Sequence, residues 1–421
     1  MRNEVPTDYP LSAVPLSARK GLLSTSLVLV SFTLFTATMF AGGKLASGFT
    51  FGELLWVVLI GNLLLGAYSA ILAYIAYRSG LNTLLMGRFC FGEWGCKLAD
   101  SLLGFTQIGW YSWGVATVAI VLIKILGLPP SWEIPLMVVF GFAFCVTAYI
   151  GYHGLEWLSR FAVPAMLIFI VISFIKSGED MGSWSQLASM TPSDPMSLAT
   201  GITVVFGTFV SGGTQSTNWS RFAKSGPVAI WSTLLAFFVG NGLMVFTGAF
   251  GALVYQQADI VDVMLAQGLV TLAVLMLIVN IWTTQDNTIY NFAVAGCNLL
   301  RTPNRKWMTL AGAAIGTLLA IGGMYDMLIP YLILLGTFIP PIGGVIMADF
   351  WLRYKGQYPN LETTALPAFN VRGLAAYAIA SAVAYVSPWI APLVGILVAV
   401  AVYGVLTRLA TGAEVSTETS S

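Results

Sequence analysis

The sequence predicts an all-α polytopic membrane protein of twelve transmembrane helices, ten of them forming two five-helix halves. Three observations carry that expectation. The 421 residues are 57% hydrophobic and only 9% charged, with a mean hydropathy of +0.83, a balance foreign to soluble domains of this length. Apolar runs long enough to cross a hydrocarbon core of about 30 Å recur along nearly the whole chain, separated by short polar breaks. Two of those runs, five apart, carry the same defect, small polar residues joined to a double glycine.

Taken in order, residues 1–21 form a polar segment with Pro6, Pro10 and Pro15 and no signal-peptide pattern. The candidate spans are centred in Leu22–Ala46, Leu54–Tyr77, Leu102–Leu126, Ile134–Ile150, Leu155–Ile175, Leu198–Thr214, Val228–Val254, Leu269–Ala295, Met308–Met324, Leu328–Phe350, Gly373–Ser387 and Trp389–Leu406. The first ten make a core over 22–350, with halves at about 22–176 and 197–350. A loop at 351–372, a final helix pair at 373–409 and a Thr- and Ser-rich tail at 410–421, expected to be disordered, complete the chain. An even number of spans puts both termini on one side. With that side cytoplasmic, sixteen of the nineteen Lys and Arg lie inside, leaving Lys44, Lys124 and Lys176 outside, and basic bias in short loops sets orientation.

The defects in spans 1 and 6 are Ser31-Phe-Thr-Leu-Phe-Thr36 followed by Ala41-Gly-Gly43, and Phe206-Gly-Thr208-Phe209-Val-Ser211-Gly-Gly-Thr214. Glycine loses more backbone freedom in a helix than any other residue, so both clusters favour unwinding where a cavity is available. Broken segments at matching places in two halves point to an inverted repeat with a binding site between them at the midplane. Gly312 and Gly316 in span 9 read instead as a close-packing pair.

Span 8 carries six polar side chains in eight residues, Asn280-Ile-Trp-Thr283-Thr284-Gln285-Asp286-Asn287. Asn280, Thr283, Thr284, Asn287 and Asn291 share a helical stripe, which makes one face polar. Uncharged oxygens of this kind suit a small hard cation, and carboxamides suit a polar solute; interhelical hydrogen bonding is the competing explanation. In span 3, Gln107 and Trp110 lie three apart on one face, an amide beside an indole, able to meet the edge and face of a flat heterocycle.

Other functions find little support. Cys90, Cys96, Cys145 and Cys297 have no metal-ligand spacing and read as packing thiols, and His153 is the only histidine. No paired catalytic groups or nucleotide-binding motif occur, which argues against an enzyme. Asp286, deep in span 8 but off the polar stripe, is expected to act as a structural hydrogen-bonding group before a proton carrier.

Several stretches resemble the nucleobase:cation symporter family 1, in particular its bacterial cytosine permeases: Pro15-Leu-Ser-Ala-Arg-Lys-Gly21, Leu59-Ile-Gly-Asn-Leu-Leu-Leu-Gly66, Thr106-Gln-Ile-Gly-Trp110, Asp262-Val-Met-Leu-Ala-Gln-Gly268, Asn280-Ile-Trp-Thr-Thr284 and Ile339-Pro-Pro-Ile-Gly-Gly-Val-Ile346. The resemblance implies a leucine-transporter-type fold, with spans 1–5 and 6–10 as inverted repeats. It implies a nucleobase stacked between Trp110 and Phe209, its edge met by Gln107, Thr208, Ser211 and the amide at Gln285. It also implies a Na+ site from the carbonyls of Ser31 and Leu34 with Asn280, Thr283 and Thr284. Where similar permeases carry Asn after the Thr pair, this chain has Gln285. The expected function is Na+-coupled uptake of cytosine or a close pyrimidine by alternating access. The protein is expected to act as a monomer in a bacterial inner membrane, with no organic cofactor and no nucleic-acid partner. Another base, a hydantoin-like solute or H+ coupling is the alternative.

Overall fold

The computed structural model describes residues 9–257, 260–268 and 270–418. Residues 1–8 of the expected N-terminal segment and the last three residues of the expected tail lie outside that set. The first half runs through α1 (Leu22–Thr33), α2 (Thr36–Ala46), α3 (Phe51–Ser79), α4 (Thr83–Phe91), α5 (Cys96–Leu126), α6 (Glu133–Ala143), α7 (Cys145–Ile150) and α8 (Tyr152–Asp180). After the short α9 (Trp184–Ala188), the second half begins with α10 (Leu198–Gly207), α11 (Val210–Gln215) and α12 (Thr217–Ser220). It continues with α13 (Gly226–Leu234), which passes through a π-helical turn, Leu235–Gly240, into α14 (Asn241–Tyr255). Next come α15 (Ile260–Ala266), α16 (Val270–Leu300), α17 (Arg305–Ile321), α18 (Leu328–Phe338) and α19 (Pro340–Ala348), before α20 (Val371–Val386) and α21 (Ala391–Glu418).

Local chemistry sets many of these boundaries. Thr50 and Glu53 form a reciprocal capping box at the start of α3, and Gly80 ends the helix at φ 71°. Pro340 and Pro341 divide the tenth expected span into α18 and α19, because proline lacks the N–H that would continue the ladder. Seven helical spans are long and apolar enough to cross a membrane, or eight with the bent pair α1–α2 counted as one. The described residues therefore form a multi-pass bundle without reaching the expected twelve by this measure. The tail, expected to be disordered from 410, instead continues α21 as far as Glu418.

Both expected breaks are present, displaced from the glycine pairs. The axis turns by 50° between α1 and α2 at Leu34–Phe35. The second break falls at Thr208–Phe209, between α10 and α11. Gly42 lies inside α2, where a Cβ would collide with the Val245 carbonyl of α14, and Gly248 of α14 faces the Met39 backbone in the same way. These glycines bring two helix backbones into contact. Gly212 likewise sits inside α11, against the Phe32 ring. Glycine marked close approach, and small polar residues marked the breaks.

Burial divides the bundle into inner and outer helices. The apolar window of α5 is 78% buried and that of α21 only 17%, so α5 lines the centre and α21 stands at the rim. On α16 every side chain from Thr283 to Asn287 is buried. The expectation of a single polar face is thus corrected: the polar side chains of this helix meet neighbours on several sides.

Candidate functional site

The two breaks face one another across α5 and α16. Between them lies a narrow cavity lined by Phe32, Phe35, Gln107, Trp110, Thr208, Phe209, Ser211, Gly212, Thr284 and Thr288. Five of the six side chains expected to hold a solute are in this wall. Phe35 presents its ring at steep angles to both Trp110 and Phe209, with centroids at 5.7 and 6.2 Å, and Phe32 meets Phe209 edge-on at 5.0 Å. The flat walls therefore come from three elements. Sequence reasoning missed Phe32 and Phe35; their signal was position, since they flank the first break.

The polar groups of this wall decide its chemistry. Gln107 is 1% exposed, and neither atom of its amide has a partner. The Ser211 hydroxyl is also buried without a partner. A buried donor or acceptor left unpaired costs about 1–3 kcal/mol, so three such atoms lining one cavity suit a ligand with donors and acceptors along its edge. Thr208 differs, because its hydroxyl donates to Val205 O at 2.6 Å and accepts from Asn241 Nδ2 at 2.9 Å.

Gln285 does not line the cavity. Its side chain passes across Gly114, where a Cβ would collide with the amide, and Nε2 donates to the Trp110 carbonyl at 3.1 Å. It holds the backbone that carries the indole. This follows from helical projection, since residue 285 lies on a different side of α16 from Thr284.

The residues expected to bind a cation gather at the first break. Asn280 Oδ1 accepts from Thr36 N at 2.8 Å and Thr36 Oγ1 at 2.7 Å, while its Nδ2 donates to Leu34 O at 2.5 Å. Thr284 Oγ1 reaches Phe32 O at 3.3 Å, and Thr283 Oγ1 turns back to Asn280 O at 2.9 Å. The Ser31 hydroxyl pairs with Ser159 Oγ at 2.7 Å, fixing α1 against α8. Leu34, Asn280 and Thr284 are thus joined across the α1–α16 contact. Thr283 lies next to them on its own helix. Their oxygens are the donor type a small hard cation takes.

Asp286 sits apart from both groups. Its carboxylate accepts from Thr147 Oγ1 at 2.8 Å and Asn287 Nδ2 at 3.0 Å, tying α16 to α7. On the next turns, Asn291 Oδ1 accepts from Asn218, which in turn accepts from Asn82. Interhelical hydrogen bonds and side chains that border the cavity coexist on α16, at different angles round the helix.

A permease family described as acting on cytosine/purines, uracil, thiamine and allantoin matches residues 15–413. The cytosine permease of Escherichia coli (strain K12) is 37% identical over 390 residues, spanning 93% of this chain and 92% of the relative. Among solved structures, Mhp1, a nucleobase-cation-symport-1 family transporter in a closed conformation with bromovinylhydantoin bound, superposes with a TM-score of 0.85 at 18% identity, covering 96% of this chain and 95% of that one. A Na+-coupled sialic acid symporter in a substrate-bound outward-open state superposes at 0.65 and 12% identity, over 97% and 93%.

Proposed function

The chain belongs to the permease family for cytosine/purines, uracil, thiamine and allantoin, and from that premise we propose that it imports cytosine, or a close pyrimidine, together with Na+ by alternating access. The observation that carries the substrate reading is the Gln107 amide, buried with both atoms unpaired in a cavity walled by Trp110, Phe209 and Phe35. A flat base presents donors and acceptors at its edge and a π-face to each aromatic wall. Gln107 and Ser211 meet the edge, the backbone at Thr208 contributes beside them, and Trp110 and Phe209 clasp the faces. Gln285 acts on the base through the Trp110 carbonyl it holds. Similarity to a cytosine permease along nearly the whole chain supports the same choice.

The coupling ion binds between the Ser31 and Leu34 carbonyls, Asn280, Thr283 and Thr284. Asn280 Nδ2 already donates to Leu34 O, so an ion at that carbonyl's second lone pair sits against the same amide. Ion binding and the geometry of the first break are therefore one event. Thr284 borders both the ion group and the solute cavity, so the two ligands stabilise the same arrangement of α1 and α16. Both termini face the cytoplasm, following the basic bias of the loops, and the monomer is the working unit.

The test is uptake of labelled cytosine into proteoliposomes, with and without a Na+ gradient, competed by a panel of bases and hydantoins. Cytosine should compete best and the gradient should accelerate uptake. Stronger competition by a purine or hydantoin overturns the substrate, and acceleration by a proton gradient alone overturns the ion.

A further inference from the structure

A second concavity lies on the outside of the bundle, away from the solute cavity. It is a groove of about 210 Å³ between α1, α8 and the π-helical turn of the seventh expected span, with Leu23, Leu27, Val163, Leu167, Leu235 and Val239 among its walls. Several of these are well exposed, Leu23 by 74% and Leu235 by 46%. All three walls belong to segments long and apolar enough to cross a membrane, which sets their exposed faces toward hydrocarbon. An open groove there forfeits dispersion contacts on one side unless a chain fills it.

One end of the groove carries charge. Lys20 stands three residues before Leu23, and Arg160 three residues before Val163. Both reach the same carboxylate: Lys20 Nζ lies 3.3 Å from Glu156 Oε2, and Arg160 Nη2 lies 2.9 Å from Glu156 Oε1. Two cations share one anion, leaving a net positive charge. The Arg160 side chain is 60% exposed even while paired with Glu156. Lys224 adjoins Lys20 through the backbone, its N–H donating to Lys20 O at 2.9 Å, so a third basic residue stands near this end. At its far end the groove reaches Leu34, the first residue of the break.

We infer that this groove is a binding site for an anionic phospholipid, with the headgroup phosphate on Arg160 and Lys20 and one acyl chain lying along α1 to Leu34. Apolar walls alone would accept any lipid. The cationic end selects the anionic one, since each Lys or Arg near the surface attracts such headgroups. A chain lodged against Leu34 also braces the break from its lipid side. The inference does not depend on which solute or ion is carried.

The test is native mass spectrometry of the full chain titrated with phosphatidylglycerol or with phosphatidylcholine of identical acyl chains. The parent should retain phosphatidylglycerol in preference. Arg160→Gln should weaken that retention by about fivefold. Val239→Trp, which fills the groove and leaves the cations alone, should reduce retention of both lipids, while Lys306→Gln on another part of the surface should change nothing. Melting of each variant in lipid-free detergent checks folding. Equal retention of the two lipids by the parent overturns the headgroup assignment. Parent-like retention by a folded Val239→Trp protein overturns the groove.

Discussion

The two breaks, Leu34–Phe35 and Thr208–Phe209, border one cavity but are held in opposite ways. At the first, a single carboxamide from α16 takes a carbonyl, a backbone N–H and a hydroxyl, so the freed polar groups are met within the protein. At the second, the Thr208 N–H closes locally on Val204 and Val205, and nearby Ser211 keeps a free hydroxyl opposite the unpaired Gln107 amide. A break whose polar groups are matched by another helix is a joint, able to pass movement between helices. A break beside unmatched polar groups is suited to be the receptor proposed above.

The largest effect expected from this contrast is at Asn280. Replacing it by alanine strands Leu34 O and Thr36 N together, at about 1–3 kcal/mol each, so Asn280→Ala should lower the unfolding temperature and abolish Na+-driven uptake. Parent-like melting and transport would show that the first break is no joint.

On the receptor side, Trp110→Ala should weaken cytosine binding by about one to two orders of magnitude and Trp110→Phe by much less, if stacking is what holds the base. Calorimetric titration reads both, and equal losses would move the indole from stacking to hydrogen bonding. Gln107→Leu separates binding from stability. It removes two unpaired polar atoms, so the protein should melt at the parent's temperature or above it while affinity falls by about tenfold. A fall in melting temperature would mean that the amide has a structural partner.

Smaller effects refine the joint. Thr284 faces α1 and Thr283 faces its own helix, so Thr284→Ala should weaken Na+ affinity by about tenfold and Thr283→Ala by less; the Na+ dependence of uptake distinguishes them. The smallest effect belongs to Gln285, which lines neither break. Gln285→Asn should shift base affinity within about tenfold and leave Na+ dependence alone. Gly114→Ala, which collides with the longer amide, should be harmful in the parent and partly rescued in the Gln285→Asn background.

The sequence by itself determined that the chain crosses a membrane many times, that two segments break, and which polar residues lie buried inside the spans. Composition and apolar run length depend only on local residues, and polar groups deep in apolar runs stand out because lipid does not tolerate them. Where the breaks fall was not legible. Glycine pairs weaken a helix and also allow two backbones to touch, and only the approach of α14 to Gly42 chose the second role. The angular roles on α16 were likewise undecided. Asn280, Thr284, Gln285 and Asp286 are neighbours in the chain, yet they meet α1–α2, α1, α5 and α7 in turn. A helix turns about 100° per residue, so adjacent polar residues point to different partners, and which partner stands at each angle is fixed only when the whole bundle is assembled.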